Sequence, residues 1–524
     1  MVDSEHTSPY QDMLEAWRAF QERFPVIPTA YSLDGRRFSF NAPLGLDLGP
    51  GRYVRLQPRG SQAFIAQVLE SEVERLESTE VSIDNAGDQG IAVPGMALGE
   101  ARLRLRRNGL RGSGIILGLI GNDSKGQPGP FDDASIQVAT AHEVEDLFRS
   151  WSQARPTVTI GSVMLPDGVM PGTIEPGGFN RHTFLCGQSG SGKTYSLGVV
   201  LEQLLLHTDL RIAILDPNAD FVHLNVLRDP EHAGDIERRY LERANALHVY
   251  RSGATEGGEQ PLRIHFSDLS ATDQAMVLQL DPLANREEYH AFRKAARSFG
   301  EQTYGVDDLR RVLSEELSDA SHDVTLRLAN LGIDDWDVWA APEESSLADL
   351  LTVRWRAADL DVSRFANPIE RSVVSLAMVR HFWRLRETRN PVLIVVDEAH
   401  NICPAVPENA VQQAATDLLV TIAAEGRKYG LYLLISTQRP DKIHPNVLSQ
   451  CDNLMLMRMN SQADLDDLAT VFSFVPKGML DKAATFQQGE ALFAGKIVPA
   501  PRMMRVGGRY SAEGGADIPT TWAG

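Results

Sequence analysis

A glycine-rich loop running straight into a lysine and a hydroxyl residue is the part of this chain best suited to chemistry. Gly187, Gln188, Ser189, Gly190, Ser191, Gly192, Lys193 and Thr194, with Tyr195 directly after, follow the apolar pair Phe184-Leu185 and open the helical pattern YSLGVVLEQLLL. The spacing is G-x-x-x-x-G-K-[ST] in a strand–loop–helix context. Glycines there let successive backbone N–H groups turn inward on phosphate oxygens, and the positive end of the following helix adds to the attraction. Lys193 is therefore expected to reach the β- and γ-phosphates of ATP, and the Thr194 hydroxyl to ligate Mg2+. Residues 187–195 together form the expected nucleotide-binding set.

Two carboxylates supply the complementary half of such a site. In NPVLIVVDEAHNICP, Val392 to Val396 form an apolar strand, as a central parallel strand requires. Asp397 at its carboxyl end can hold Mg2+, and Glu398 can polarise the attacking water; successive side chains diverge, so the two have different jobs. The letters DEAH invite comparison with RNA helicases, but the other motifs of those enzymes are missing from the sequence.

A third segment, EGRKYGLYLLISTQRP, places Arg427 just before an apolar strand and Gln438 at its end. An arginine beside a parallel strand edge can project into a neighbouring subunit's site and stabilise developing phosphoryl charge. Gln438 sits where open α/β sheets bind ligands, so it can sense the γ-phosphate or the water. Taken alone, Arg427 reads equally as a surface residue and Gln438 as a turn residue.

The elements that must hold these groups divide the chain as follows. Residues 1–30 read as an amphipathic helical lead-in, with Tyr10, Met13, Leu14, Trp17, Phe20 and Phe24 at helical spacing. Residues 31–156 read as a small barrel or sandwich of short strands (RRFSF, GRYVRLQP, AFIAQVLE, ARLRLRR, GIILGLIG) closed by a linker helix over 132–153. In ARLRLRR, Arg102, Arg104 and Arg106 share one face, read as solvated, with a DNA- or partner-facing strip as the alternative. The P-loop core then runs in two parts, 157–229 and 386–506, around a helical insertion at 230–385, and a Gly- and Ala-rich tail, 507–524, reads as flexible or docking. The expected fold class is α/β: a RecA-like P-loop ATPase core with a small N-terminal β-barrel and a helical insertion.

Composition narrows the surroundings. No apolar run reaches the ~18–20 residues that span a bilayer, and the N-terminus MVDSEHTSPY carries no apolar leader. Cys186, Cys403 and Cys451 lack metal-ligand spacing and fit buried thiols of a reducing cytoplasm. A formal charge of −19 argues against a uniformly DNA-binding surface. A ring can still be basic along its pore, because screening erases distant charge within about 10 Å. The stretch RHFWRLRETR, with Arg380, Arg384, Arg386 and Arg389, reads as an exposed helix face, with a channel lining as the alternative.

The order of P-loop, acidic strand, arginine and glutamine resembles the HerA and FtsK superfamily of ring ATPases, and its HerA branch most. IGSVMLPDGVMPGTIEPGGFNRHTFLCGQSGSGKT, ILDPNADF (214–221), GRKYG…STQRPDKIHPNVLSQCDNLMLMRM and GEALFAGKIVPAPRMMRV are similar to segments of that family. ILDPNADF departs from the family's usual histidine-glycine and glutamate, which leaves the roles of Asp216 and Asp220 open. The resemblance implies a homohexamer that drives DNA through a central pore on ATP hydrolysis, with Lys193, Glu398, Arg427 and Gln438 catalytic. It also implies a partner nuclease or antiphage effector, and no membrane. The competing reading is a scaffold ATPase ring that organises an effector and moves little DNA. A protein-unfolding ring ATPase would need a C-terminal helical lid with a sensor arginine, which 440–524 does not show.

Overall fold

A computed structural model describes residues 27–82, 102–120, 129–153, 155–252, 260–344, 346–350 and 355–515, and its chain separates into two compact units. The first unit is built on a closed barrel of β1 (Thr29–Ser32), β2 (Arg37–Ala42), β3 (Tyr53–Pro58), β4 (Phe64–Ser82), β5 (Arg102–Leu119) and β6 (Phe131–Val138), in the order β1-β2-β5-β4-β3-β6. Alternation places Phe38, Phe40, Val54, Leu56, Phe64, Ala66, Val68, Ala134 and Ile136 inside. Phe38 and Phe40 need space opposite, and β5 provides it with glycine. A Cβ on Gly114 would stand 2.3 Å from the Phe38 ring, and one on Gly112 2.6 Å from the Phe40 ring. A helix, α1 (Ala141–Ser152), begins at a capping box between Thr140 and Glu143. It packs on the barrel through Phe148, edge-on to Tyr53, and through an Arg55–Glu143 ion pair at 2.7 Å.

Three expectations for this region change. The linker helix begins only at Ala141, because FDDASIQV alternates Ala134 and Ile136 inward and completes the barrel as β6. The strands β4 and β5 are long, not short, at 19 and 18 residues. The lead-in helix lies outside the described residues up to 26, and its last two positions, Thr29 and Ala30, belong to β1. The side chains of Arg102, Arg104 and Arg106 also lie outside what is described, although their backbone is β5.

The second unit carries one twelve-stranded sheet. Its strands are β7 (Val158–Leu165), β8 (Gly168–Ile174), β9 (His182–Cys186), β10 (Arg211–Asp216), β11 (Leu247–Arg251), β12 (Gln260–Pro261), β13 (Ala357–Asp361), β14 (Val392–Val396), β15 (Leu431–Thr437), β16 (Cys451–Leu456), β17 (Glu490–Gly495) and β18 (Arg502–Val506). The order is β12-β11-β13-β10-β14-β15-β9-β16-β17-β18-β7-β8. Strands β12 to β16 in that order are parallel, and β17, β18 and β7 continue antiparallel. Strands β9, β13 and β14 are buried throughout, which explains the unbroken apolar run of β14. Placing β9 between β15 and β16, with β14 and β10 beyond, gives the RecA-like core. Helix α2 (Lys193–His207) leaves β9 through the glycine loop and is buried on nearly every side.

The helical insertion is narrower than 230–385. Helices α3 (Ala271–Val277), α4 (Arg286–Ser298), α5 (Val306–Glu315) and α6 (Asp319–Leu331) form the helical cluster. On either side of it, β11 and β13 are integral strands of the sheet, β13 pairing in parallel with β10. Both are five residues long and carry charged groups at their ends, so the helical texture around them conceals them. Helix α7 (Pro368–Arg384) leads back to β14. Of the arginines near its end, Arg380 pairs with buried Asp273 at 2.6 Å and Arg386 lies over the rings of Trp383 and Tyr429, while Arg384 and Arg389 are exposed, as the sequence reading expects.

Candidate active site

The P-loop is positioned by the carboxyl end of β9 and the start of α2. Gly190 and Gly192 have φ of 72° and 91°, a left-handed backbone that turns N–H groups toward one side and that a β-carbon would strain. No side chain caps α2 at Gly192, so its first N–H groups stay open to a ligand. The loop is fixed at its base by Gln188 N donating to Arg458 O at 3.0 Å.

Lys193 is brought directly onto the acidic strand end. Its Nζ lies 2.8 Å from Asp397 Oδ1, 3.2 Å from Glu398 Oε1 and 3.0 Å from Ser436 Oγ. Burial alone would lower the lysine's pKa, but the two carboxylates more than offset it and hold the ammonium above its ordinary value. Glu398 takes a left-handed φ of 42°, a strained conformation for a non-glycine residue, which costs about 1–2 kcal/mol. Gln438 Nε2 donates to Glu398 Oε1 at 2.8 Å, and His400 Nδ1 lies 3.3 Å from Glu398 Oε2. Burial would raise the Glu398 carboxyl, yet His400, the Lys193 charge and Gln438 bring it down to about 2. A carboxylate so held is ionised at any working pH, as a base that polarises water must be.

Whether the residues fit a magnesium ion is testable on one orphaned atom. Asp397 is fully buried, and its Oδ2 has no hydrogen-bond partner among the described residues. Such an acceptor fits a cation. No group of three or more histidine, cysteine or carboxylate side chains gathers into a metal cage among the described residues.

Asp216, which ends β10, and Asp220 in the turn after it stand beside this centre. Asp216 accepts from the backbone N–H of Asn218 at 3.1 Å and of Phe221 at 2.8 Å, so it shapes the turn that carries Asp220. Burial pushes Asp216 up to about 7. Burial and then the Asp397 charge push Asp220 up to about 6.

Arg427 is the expected site residue that the fold does not bring in. It precedes β15, whose seven residues separate it from the Thr437 end by roughly 20 Å. There it pairs with Asp452 at 2.6 Å, a carboxylate that Arg181 also approaches at 3.4 Å. Beside it, His182 Nδ1 accepts from Leu433 N at 2.9 Å, which requires an unprotonated nitrogen. Burial and then the Arg427 charge lower His182 from 6.5 to about 4. The unfolded chain takes up this proton near pH 6.5 and the folded chain only near 4. Its stability contribution is therefore complete above pH 6.5 and is lost as pH falls, amounting to about 3 kcal/mol across the window. Asp216 and Asp220 act in the opposite direction, so the comparison is between chains: wild type is expected to lose about 2–3 kcal/mol more than His182→Gln between pH 7 and pH 4.5. Urea unfolding at both pH values reads the difference, and equal losses would clear His182.

Several contributors were not singled out from sequence. Ser436 joins Lys193 to Asp397, its hydroxyl donating to Asp397 Oδ1 at 2.6 Å, and His400 touches Glu398. Both stand within one or two residues of groups that were chosen, so proximity to a strand end was the available signal. Of the two readings of the tail, flexible or docking, its described part takes the second. Residues 507–515 are docked: Arg509 is buried against Glu202 of α2 at 3.4 Å, and Arg505, Gly507, Gly508 and Glu513 line the nucleotide cavity.

Residues 158–350 match the family model described as the central domain of the helicase HerA, and residues 352–459 match that of the ATPase family associated with various cellular activities. The DNA double-strand break repair helicase HerA of Pyrococcus furiosus is 22% identical over 379 residues, covering 62% of this chain and 65% of that protein. That of Sulfurisphaera tokodaii is 22% identical over 423 residues, covering 75% and 76%. A probable HerA of Methanocaldococcus jannaschii is 30% identical over 128 residues, covering 24% of this chain and 25% of that protein. The chain thus spans just under two thirds of the first relative's length. Among solved structures, VirB4 of Thermoanaerobacter pseudethanolicus aligns with a TM-score of 0.46 at 16% identity, over 67% of this chain and 96% of that one.

Proposed function

We propose that this chain, which belongs to the HerA-type ATPases of the HerA and FtsK superfamily, is the subunit of a homohexamer that couples ATP hydrolysis to passage of DNA through a central pore. The observation that carries the reading is the contact of Lys193 with both carboxylates at the end of β14, beside an uncapped helix N-terminus. Lys193 and the loop N–H groups would take the β- and γ-phosphates. Thr194 and Asp397 would hold Mg2+, which when bound neutralises phosphate charge. Glu398 polarises the water, and Gln438, already on its carboxylate, aligns it. Arg427 serves the site of the adjacent subunit, since roughly 20 Å of strand keeps it from its own. DNA is the expected substrate because the HerA relatives are named as DNA repair helicases. A partner nuclease or antiphage effector and a cytoplasmic location complete the proposal, and they rest on the sequence resemblance alone. Among the described residues no helix is long and apolar enough to cross a membrane.

The net charge of −19 makes DNA the exposed part of this reading. Contacts must be concentrated in an assembled channel, tracking the backbone without base readout. Intact rings are therefore expected to show DNA-stimulated hydrolysis with little sequence preference. The DNA concentration for half-maximal stimulation should rise at least about tenfold between 50 and 200 mM salt, as counterion release requires. ATPase rates against DNA concentration, with ring mass checked, give the answer. Equal rates with and without DNA, alone and with the partner present, would leave the acidic scaffold ATPase as the better reading.

A further inference from the structure

The cavity over the P-loop holds about 730 Å³ and has two chemically different ends. One is the phosphate cradle, Gly190, Gly192, Lys193 and Thr194. The other is walled by a strap, residues 505–515, together with Arg228. The strap is registered on the P-loop helix at two heights. Arg509 N donates to the Tyr195 hydroxyl at 2.8 Å, in the first turn of α2. Two turns on, the buried Glu202 carboxylate accepts from Tyr510 N at 2.8 Å, Ser511 N at 2.9 Å and Ser511 Oγ at 2.6 Å. The Arg509 guanidinium fills the space beside Gly198, where a Cβ would come within 2.6 Å of it. Gly514 N donates to Asp220 O at 3.2 Å, tying the strap to the turn after β10.

Three groups, Tyr195, Arg228 and Glu513, meet at the strap end of that cavity. The Arg228 guanidinium lies 5.9 Å from the centre of the Tyr195 ring, and it stands 3.8 Å from Glu513 Oε1. That last distance is beyond a hydrogen bond, so both charged groups keep their capacity for a ligand. A guanidinium plane and an aromatic ring are stacking surfaces for a base. A carboxylate is an acceptor for ribose hydroxyls or an exocyclic amine.

We infer that the strap is the nucleoside-recognition wall of the ATP site, with Arg228 stacking on the base and Glu513 accepting hydrogen bonds from the nucleoside. This rests on the ATPase reading above, and it adds that recognition extends beyond the phosphates to the base and ribose. The full chain is titrated with ATP, 2′-deoxy-ATP and inorganic tripolyphosphate, each with Mg2+, by calorimetry. ATP is expected to bind at least about tenfold more tightly than tripolyphosphate. The Arg228→Ala, Glu513→Ala double variant should weaken ATP by about 10–100-fold and leave tripolyphosphate within about twofold. Glu202→Gln, which loosens the strap from beneath, should show the same pattern. A smaller loss for 2′-deoxy-ATP than for ATP in Glu513→Ala assigns the carboxylate to the ribose, and equal losses assign it to the base. Equal weakening of ATP and tripolyphosphate, or unchanged ATP binding in the double variant, overturns the proposal. Wild-type chain that binds neither compound defeats the ATPase reading itself, and the strap's role with it.

Discussion

Glu398→Gln is expected to lower ATP turnover by about 10²–10⁴-fold while ATP affinity stays equal or rises. The loss follows from removing the ionised carboxylate that polarises water. The gain follows from geometry: Lys193 is clamped between Asp397 and Glu398, so incoming phosphates must compete with two carboxylates for one ammonium. Taking away one competitor frees the lysine without disturbing the loop. Lys193→Ala gives the opposite signature, with binding itself lost. Nucleotide affinity by calorimetry and single-turnover hydrolysis separate the two. Turnover in Glu398→Gln within about tenfold of wild type would assign the base elsewhere.

Arg427→Ala is expected to leave rings intact and to cut hydrolysis about 10³-fold or more, the scale of a missing arginine finger. Half-exposed, Arg427 is held only by a surface pair with Asp452, and such pairs contribute about 0–1 kcal/mol, so swinging it toward a neighbour costs little. Lys193→Ala subunits still carry Arg427. Mixing them with Arg427→Ala subunits should therefore restore part of the activity in shared rings. An arginine acting within its own chain, or serving only to brace Asp452, gives no rescue once subunit exchange has been verified by mass.

How much of this was legible without coordinates depended on whether the signal was local. The glycine loop, the apolar strand before Asp397 and Glu398, and Gln438 at the next strand's end are each contained in one short segment, and each folds as that segment implies. The barrel was visible through alternation such as that of Phe38 and Phe40, while FDDASIQV, with two adjacent aspartates, disguised its last strand. Strands β11 and β13 escaped because five residues carry too little periodicity to stand out among helices. The partner of the strap was hidden for a different reason. Glu202 and Ser511 are 309 residues apart, and nothing in a glycine-rich segment announces that Arg509 will be buried.

That long-range pairing bears on how the molecule is made. Helix α2 forms its hydrogen bonds early, but Glu202 is then an apolar-facing carboxylate whose arginine and three donors lie more than three hundred residues downstream. Burial of the acid without them would be costly, and burial already pushes its carboxyl upward even in the finished fold. The sheet has the same dependence, since β7, made early, pairs with β18, made late. Synthesis is therefore a long wait with the ATP site unfinished, and contacts of such sequence separation close slowly. A ribosome-bound chain lacking residues 505–515 would have its phosphate loop in place and no counterpart for Glu202. Such a chain would also lack Arg505, Gly507, Gly508 and Glu513, so the wall of the nucleotide cavity is completed only once translation has passed the strap.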